Sequence, residues 1–274
     1  MAEPRLRRRR RTVEYAFRVI VIAYVGLLVV WPIGLVGKEA FGRGWKPVHD
    51  TFTDPSVVSA FKLTALVAVI AVVINTVFGV GMALLLVRYR FPGRRLLSAL
   101  VDLPLSVSPV VVGLALVLVY GGRGHWLGPG LERAGIQVIF ATPGIILATV
   151  FVSLPLVVRE LVPVLEEIGT DQEQAARSLG ANAWQAFWRV TFPAIRWATV
   201  YGVVLSLARA LGEYGAVKIV SGNLVGRTQT VTLVVEQKYQ EFQQQTSYVT
   251  SFALAASSVV CLMVVAILRP RETA

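Results

Sequence analysis

Residues 61–87 read FKLTALVAVIAVVINTVFGVGMALLLV, and Lys62 is the only charged side chain in this run. An α-helix rises about 1.5 Å per residue, so about 20 apolar residues are needed to cross a hydrocarbon core roughly 30 Å thick. The run exceeds that length and contains no proline. It therefore predicts a membrane-spanning helix.

More apolar segments lie on both sides of this run. Residues 17–37 precede it, and the later segments are 98–120, 142–162, 196–220 and 247–268. The chain is 55% hydrophobic and 16% charged, whereas soluble domains carry about 25% charged residues. These features exclude a soluble globular domain. They predict an all-α integral membrane protein with six transmembrane helices in one domain over residues 1–274.

Positive charge is distributed unevenly between the loops. An arginine-rich run lies at residues 5–11, and the loops on its side of the membrane carry more Arg and Lys than the others. Cytoplasmic loops show this excess, so both termini are predicted to be cytoplasmic. The segment 17–37 exceeds the roughly 7–15 apolar residues of a signal peptide, which favours a retained first helix. The arginine run favours contact with lipid headgroups over nucleic acid.

The longest predicted cytoplasmic loop, residues 163–195, contains signals for two short helices. Thr170 and Glu173 have the spacing of a capping box, which predicts a helix that begins near Asp171. Gly180 is the residue type that commonly ends a helix in the left-handed conformation. The first short helix is therefore expected between these two signals.

The second short helix is expected to follow Asn182, a favourable N-cap. Its aromatic face is formed by residues at three- and four-residue spacing, namely Trp184, Phe187, Trp188 and Thr191. Pro193 then suits the first turn of the next span. The predicted order is helix, glycine bend, helix, proline and membrane span.

The first short helix has the features of a docking helix. Ala175 and Ala176 have small side chains, so another protein can approach the helix backbone on that side. Leu179 supplies an apolar anchor, while Glu173 and Arg177 form a polar rim. Such a helix fits a groove on a partner protein, and the alternative is an interfacial helix without a partner.

Charged residues also lie in or near the fifth apolar segment, at Arg209, Glu213 and Lys218. A charge near the bilayer centre costs about 2.5–3.5 kcal/mol on insertion scales, so such side chains face protein or water. Arg209 and Glu213 are four residues apart and can pair on one helix face. Two interpretations stay open: an internal ion pair that stabilises the bundle, or an arginine that lines an anion path and is held by Glu213.

Proline and glycine breaks within spans can expose backbone N–H groups to an oxyanion. Ser106 and Ser108 lie between Pro104 and Pro109, so both serines join Arg209 and Glu213 as candidate residues of the path. Lys218 is expected either as solvated surface or as a charge that attracts anions.

The sequence lacks signals for catalysis. It contains no Gly-x-x-x-x-Gly-Lys-Ser/Thr phosphate loop, so the chain is not expected to hydrolyse ATP by that route. His49 and His125 lie in predicted outer loops, and Cys261 is the single cysteine. The chain is therefore predicted to be non-catalytic, without a metal or cofactor of its own.

Residues 174–193 resemble the EAA loop of ABC-importer permeases. That loop has Glu-Ala-Ala, a glycine four positions after the second alanine, and a later Ile-x-Leu-Pro. Gln174, Val190 and Phe192 depart from this pattern, but the spacing is kept. The resemblance implies the type I ABC-importer permease fold and a coupling helix seated in a cleft of an ATPase. The implied coupling residues are Glu173, Gln174, Ala175, Ala176, Arg177, Leu179, Gly180 and Pro193.

Other stretches are similar to sulfate/thiosulfate permeases, namely 91–94, 102–113, 157–163 and 208–216. Residues 236–242 favour the CysW-type subunit over the CysT type. The resemblance implies a bacterial inner-membrane importer of sulfate or thiosulfate. Its other parts would be an ATPase homodimer that binds ATP and Mg²⁺, a second permease of the CysT type and an extracytoplasmic sulfate-binding protein.

Two alternatives stay open. Molybdate or tungstate permeases share the Arg-Ala-Leu-Gly-Glu stretch, but they usually lack a first span, so residues 17–37 favour sulfate. A secondary anion transporter is the other alternative. Such carriers often contain internal repeats, and none is apparent in this sequence.

Overall fold

The computed structural model describes residues 3–122 and 126–268, and the side chains of 3–13 and 265–268 lie outside that description. The arginine run at 5–11 and His125 therefore have no described side chains. Every regular element of the described chain is helical. The helices are α1 (Glu3–Val25), α2 (Trp31–Phe41), α3 (Lys46–Thr53), α4 (Pro55–Arg88), α5 (Arg94–Ser106), α6 (Pro109–Tyr120), α7 (Gly128–Arg133), α8 (Thr142–Ile168), α9 (Asp171–Ser178), α10 (Ala183–Ala186), α11 (Phe192–Leu211), α12 (Gly215–Ser221), α13 (Val231–Gln240) and α14 (Gln244–Leu268).

The helices confirm the membrane fold. Continuous helical stretches long and apolar enough to span are Glu14–Phe41, Pro55–Arg88, Thr142–Ile168, Ala183–Leu211 and Gln244–Val264. Helices α5 and α6 pass the same test together, although they are bent by 112°. If that pair counts as one span, the described residues contain six candidate spans, and the fold class is as predicted.

Two predicted spans are broken rather than continuous. The span predicted at 98–120 is interrupted at Val107 and Ser108, whose ψ angles are 136° and 133°. Pro109 disfavours the α conformation in the residue before it, which accounts for this break. The span predicted at 196–220 ends at Leu211, and residues 212–214 separate it from α12.

Pro193 lies in the first turn of α11, as predicted, but no break separates α11 from the short helix before it. A π-helical turn, Phe187–Thr191, joins α10 to α11, so the helix continues from Ala183 to Leu211. A proline has no N–H and its ring clashes with the carbonyl four residues earlier. The wider turn just before Pro193 relieves that clash. Helix α8 likewise continues through Pro155 and Pro163, so the loop predicted from 163 begins only after Ile168.

The core of the bundle is formed by α4, α8 and α11. A Cβ at Gly79 would lie 2.7 Å from a Val157 methyl, and one at Gly202 would lie 3.1 Å from Val157 Cα. The two glycines therefore permit close helix contact. Asn75, which is fully buried, donates to Ser153 Oγ at 2.8 Å. This hydrogen bond joins α4 to α8 and places Asn75 inside the bundle.

Helix α13 lies along the first turns of α4. Val231 N donates to Thr64 Oγ1 at 3.0 Å, and Lys238 Nζ donates to Asp54 Oδ2 at 3.1 Å. Burial raises the pKa of Asp54, but hydrogen bonds from Ser56 and Lys238 outweigh that effect, so the pKa lies below its ordinary 3.8. The beginning of α13 is thereby held beside the interior of the bundle.

The first span contacts the other helices mainly through α2. Phe41 and Phe252 of α14 meet edge to face with ring centroids 5.2 Å apart, and a Cβ at Gly37 would lie 2.9 Å from the Phe252 ring. The most apolar window of Glu14–Phe41 is not buried against the chain at all. This surface is therefore available for lipid.

Candidate functional site

The docking helix predicted from the sequence is α9, at the end of the bundle that carries Arg88 and Arg94. We call this the basic end. The N-terminus of α9 differs from the prediction, because Thr170 makes no side-chain capping bond. Glu173 does not reach back to Thr170 either. Its Oε1 instead accepts hydrogen bonds from Arg88 Nη2 at 3.0 Å and from Thr191 Oγ1 at 2.9 Å.

Arg88 explains why the capping box fails. Its side chain is 11% exposed. Leaving a charge so buried without a partner costs more free energy than leaving the N-terminus of α9 uncapped. Arg88 Nη1 also donates to Leu165 O at 2.9 Å, one of the last carbonyls of α8. The Arg88 network, formed by Arg88, Glu173, Thr191 and Leu165, thus connects α9 to α4, α8 and the π-helical turn. Sequence reasoning had counted Arg88 only as a topology charge.

The other end of α9 agrees with the prediction. Gly180 has φ of +86°, and its N–H donates to Arg177 O at 2.9 Å while Ala181 N donates to Ala176 O at 3.0 Å. These are the two bonds of a Schellman C-cap. Asn182 then forms a complete capping box with Gln185 at the start of α10. The bend between the two short helices is therefore set by local sequence.

Helix α9 is largely exposed. Ala175 is exposed, and Leu179 is 89% exposed. Gln174 and Arg177 are also exposed, but they line a cavity of about 290 Å³ that lies between α9 and the end of α4. The predicted aromatic face behind α9 is present as a cluster in which Trp188 and Phe192 have ring centroids 5.0 Å apart. Helix α9 therefore leaves much of its surface exposed and is fixed to the bundle at few points.

The second candidate region lies where the two broken spans meet. A Cβ at Gly215, the first residue of α12, would lie 3.0 Å from Cβ of Pro109, the first residue of α6. A Cβ at Gly113 would lie 2.8 Å from Ile219 Cβ. Helices α6 and α12 therefore pack in close contact, and the two breaks lie side by side.

The predicted pair of Arg209 and Glu213 is at this junction. Arg209 Nη1 lies 2.6 Å from Glu213 Oε2. Glu213 is 3% exposed, and its Oε1 accepts from Ala216 N at 3.0 Å, while Oε2 accepts no directed hydrogen bond from the described residues. Thr232 of α13 donates to Glu213 O at 2.9 Å. The Arg209 side chain stays 37% exposed, so part of its guanidinium remains accessible.

The other predicted polar residues take different positions. Ser106 and Ser108 are exposed at the break between α5 and α6. Lys218 is an exposed residue, in agreement with the first of its two expected roles. Its Nζ contacts Glu236 and lies 2.7 Å from Tyr214 Oη, so the charge is paired with α13 at the surface.

Sequence reasoning also missed the ion pair between Arg159 and Asp102. Arg159 Nε donates to Asp102 Oδ1 at 2.8 Å, joining α8 to α5. Arg159 had been counted with the cytoplasmic charges, although it lies inside the candidate span Thr142–Ile168. The available signal was the arginine within an apolar segment, which requires a polar partner.

Comparison with known proteins agrees with this architecture. The family model described as "Binding-protein-dependent transport system inner membrane component" matches residues 75–273. The chain is 50% identical to the sulfate transport system permease protein CysW of Synechococcus elongatus, over 92% of this chain and 88% of the relative. Against Escherichia coli K12 it is 44% identical to CysW (92% and 86% covered) and 38% identical to CysT (91% and 90% covered).

A solved structure shares the fold. A bacterial ABC transporter involved in alginate import superposes with a TM-score of 0.80 over 97% of this chain and 98% of that chain, at 16% identity. Identity to CysW exceeds identity to CysT within the same organism. The chain therefore belongs to the family of binding-protein-dependent transport system inner membrane components, among its CysW-type members.

Proposed function

We propose that this chain is a permease subunit of an ABC importer that moves sulfate or thiosulfate into the cytoplasm. The observation that supports this most is the arrangement of α9, which exposes Leu179 and Arg177 while Glu173 ties it to α4 through Arg88 and to the π-helical turn through Thr191. A short helix that is open on one side and anchored on the other is suited to pass a partner's movement into the spans. The 50% identity to a sulfate CysW protein supports the substrate.

The partner at α9 is proposed to be an ATPase homodimer that binds ATP and Mg²⁺, since this chain has no phosphate loop of its own. The basic end then faces the cytoplasm, with both chain termini on that side of the bacterial inner membrane. Leu179 would enter an apolar pocket of the ATPase and Arg177 would meet its polar rim. A CysT-type permease and an extracytoplasmic sulfate-binding protein complete the proposed complex, which requires no nucleic acid.

The anion path is proposed to pass the junction of the two broken spans. Arg209 offers a positive charge there, and Glu213 holds that charge in position. Ser106 and Ser108 add hydroxyl donors on the same exposed side of α5 and α6. Arginine suits a tetrahedral oxyanion because its planar guanidinium presents several donors.

The function is tested by uptake of radiolabelled sulfate into proteoliposomes that contain the purified complex and its binding protein. We expect uptake that requires ATP inside the vesicle and is inhibited by unlabelled thiosulfate. Inhibition by molybdate alone would instead assign the chain to a molybdate importer. Uptake driven by an ion gradient without ATP would contradict the proposal altogether.

The proposed coupling helix carries its own prediction. A valine at Gly180 is expected to abolish ATP-driven uptake, because a β-branched residue is strained at φ of +86° and the C-cap of α9 is lost. Gly180→Asn is the matched control, since asparagine tolerates the left-handed region, and it should retain most uptake. Full uptake by Gly180→Val would contradict the role assigned to this bend.

Leu179→Asp should release the ATPase during purification without affecting insertion.

A further inference from the structure

Asp102 of α5 and Arg159 of α8 form an ion pair that the function described so far does not use. The two residues are 57 positions apart, and the bond between them is 2.8 Å long. We propose that Arg159 is a further binding position for the translocated divalent oxyanion, with Asp102 as the residue that orients it. This inference rests on the proposed function and adds a second cationic contact to the path.

Arg159 keeps hydrogen-bond donors that Asp102 does not use. A guanidinium has five N–H donors, and Nε supplies the bond to Asp102. The Arg159 side chain is 57% exposed and that of Asp102 is 38% exposed. Because Asp102 occupies one edge of the guanidinium, the opposite edge remains for a bidentate contact with an oxyanion.

Leu105 of α5 lies one helical turn after Asp102 and is exposed, so an exposed apolar side chain adjoins the ion pair on that face. An arginine inside a span does not face lipid without a large cost. A water-filled anion path beside this face satisfies the charge, and it is the environment in which a partly exposed arginine is useful.

Arg159 and Arg209 lie at different depths along the bundle. Helices α8 and α11 touch where Gly202 meets Val157 Cα, near Arg159 in the chain. Arg209 follows Gly202 by two helical turns, or about 10 Å along the axis. Ser106 lies one helical turn after Asp102 and ends α5, so it adjoins the break between α5 and α6 that packs beside Gly215. The two arginines therefore mark successive depths, and successive weak sites favour passage over trapping.

The test compares Arg159→Gln with wild type in the reconstituted, fully assembled complex. At sulfate concentrations below saturation, we expect about tenfold slower uptake, equivalent to 1.4 kcal/mol in binding. The unfolding temperature and the recovery of all subunits should be unchanged, and Arg159→Lys should restore part of the uptake. Arg94→Gln is the matched control, because Arg94 pairs with Glu166 between the same two helices at 3.6 Å, and it should transport as wild type does.

The remaining outcomes separate the possible roles of this pair. The double variant Arg159→Gln/Asp102→Asn should stay slow, since the cationic contact is still missing; recovery of uptake would show an internal structural pair and overturn the inference. Loss of the second permease during purification of Arg159→Gln would overturn it in favour of a subunit contact. Wild-type uptake by Arg159→Gln overturns this inference alone, whereas sulfate uptake absent from the wild-type complex overturns the proposed function itself.

Discussion

Replacing Glu173 with alanine is expected to uncouple ATP hydrolysis from transport. The substitution leaves the Arg88 guanidinium, whose side chain is 11% exposed, without its charge partner, and breaking a buried ion pair costs roughly 3 kcal/mol. Helix α9 also loses its bonds to α4 and to the π-helical turn. Because a cavity already separates the inner side of α9 from α4, few other contacts hold the helix in place.

The measurement is the number of sulfate ions transported per ATP hydrolysed in proteoliposomes. Glu173 points into the bundle rather than toward the exposed side of α9, so the ATPase should still copurify and hydrolyse ATP. Transport per ATP should fall more than tenfold. Glu173→Gln should lie between alanine and wild type, since its amide oxygen still accepts hydrogen bonds from Arg88 and Thr191.

The matched control for Glu173 is Glu166→Ala. Glu166 pairs with Arg94 at the same end of the bundle, but both side chains are well exposed, and such surface pairs contribute at most about 1 kcal/mol. This variant should transport normally. A normal transport ratio for Glu173→Ala would mean that the Arg88 network does not carry the coupling.

Substitution of Arg209 by glutamine is expected to abolish uptake and to destabilise the protein. The Glu213 side chain is 2% exposed, so the change leaves a buried carboxylate uncompensated, at a cost of about 3–5 kcal/mol. The loss of the cation also removes the proposed anion contact at the junction of the broken spans. Thermal unfolding in detergent and sulfate uptake report these two effects separately.

The double variant Arg209→Gln/Glu213→Gln distinguishes the two interpretations of this pair. It removes both charges and should recover much of the unfolding temperature. If Arg209 contacts the anion, as proposed, uptake stays absent in the stable double variant. Recovery of uptake together with stability would show that the pair only stabilises the bundle. Arg227→Gln serves as a control, because Arg227 is exposed and should be replaceable.

Some features of this protein follow from local sequence. A long apolar run such as 61–87 has no alternative to a helix in the membrane, because its backbone groups must be satisfied internally. Gly180 and Asn182 act within one helical turn of their own positions, so their caps were predicted correctly. The exposure of Ala175 and Leu179 on α9 also agrees with the sequence, whereas their docking role stays a prediction.

Other features depend on contacts between distant residues. Glu173 was predicted to cap its own helix, but Arg88, which is 85 residues away, takes the carboxylate. The second short helix was expected to end before the span that begins near Pro193, but a π-helical turn joins the two. In both cases the local sequence pattern is present, but a tertiary contact or a backbone requirement determined the observed structure instead.

The sequence by itself determined that the chain spans the membrane as helices, because hydrophobic length is a property of each segment alone. It also determined that residues 171–180 form a capped, exposed helix, because capping acts over a few residues. Only the tertiary structure decided that the two broken spans lie side by side at Gly215 and Pro109 and that Arg159 pairs with Asp102. Partners for buried charges are set by which helix faces pack together, and no spacing within a single segment specifies that packing.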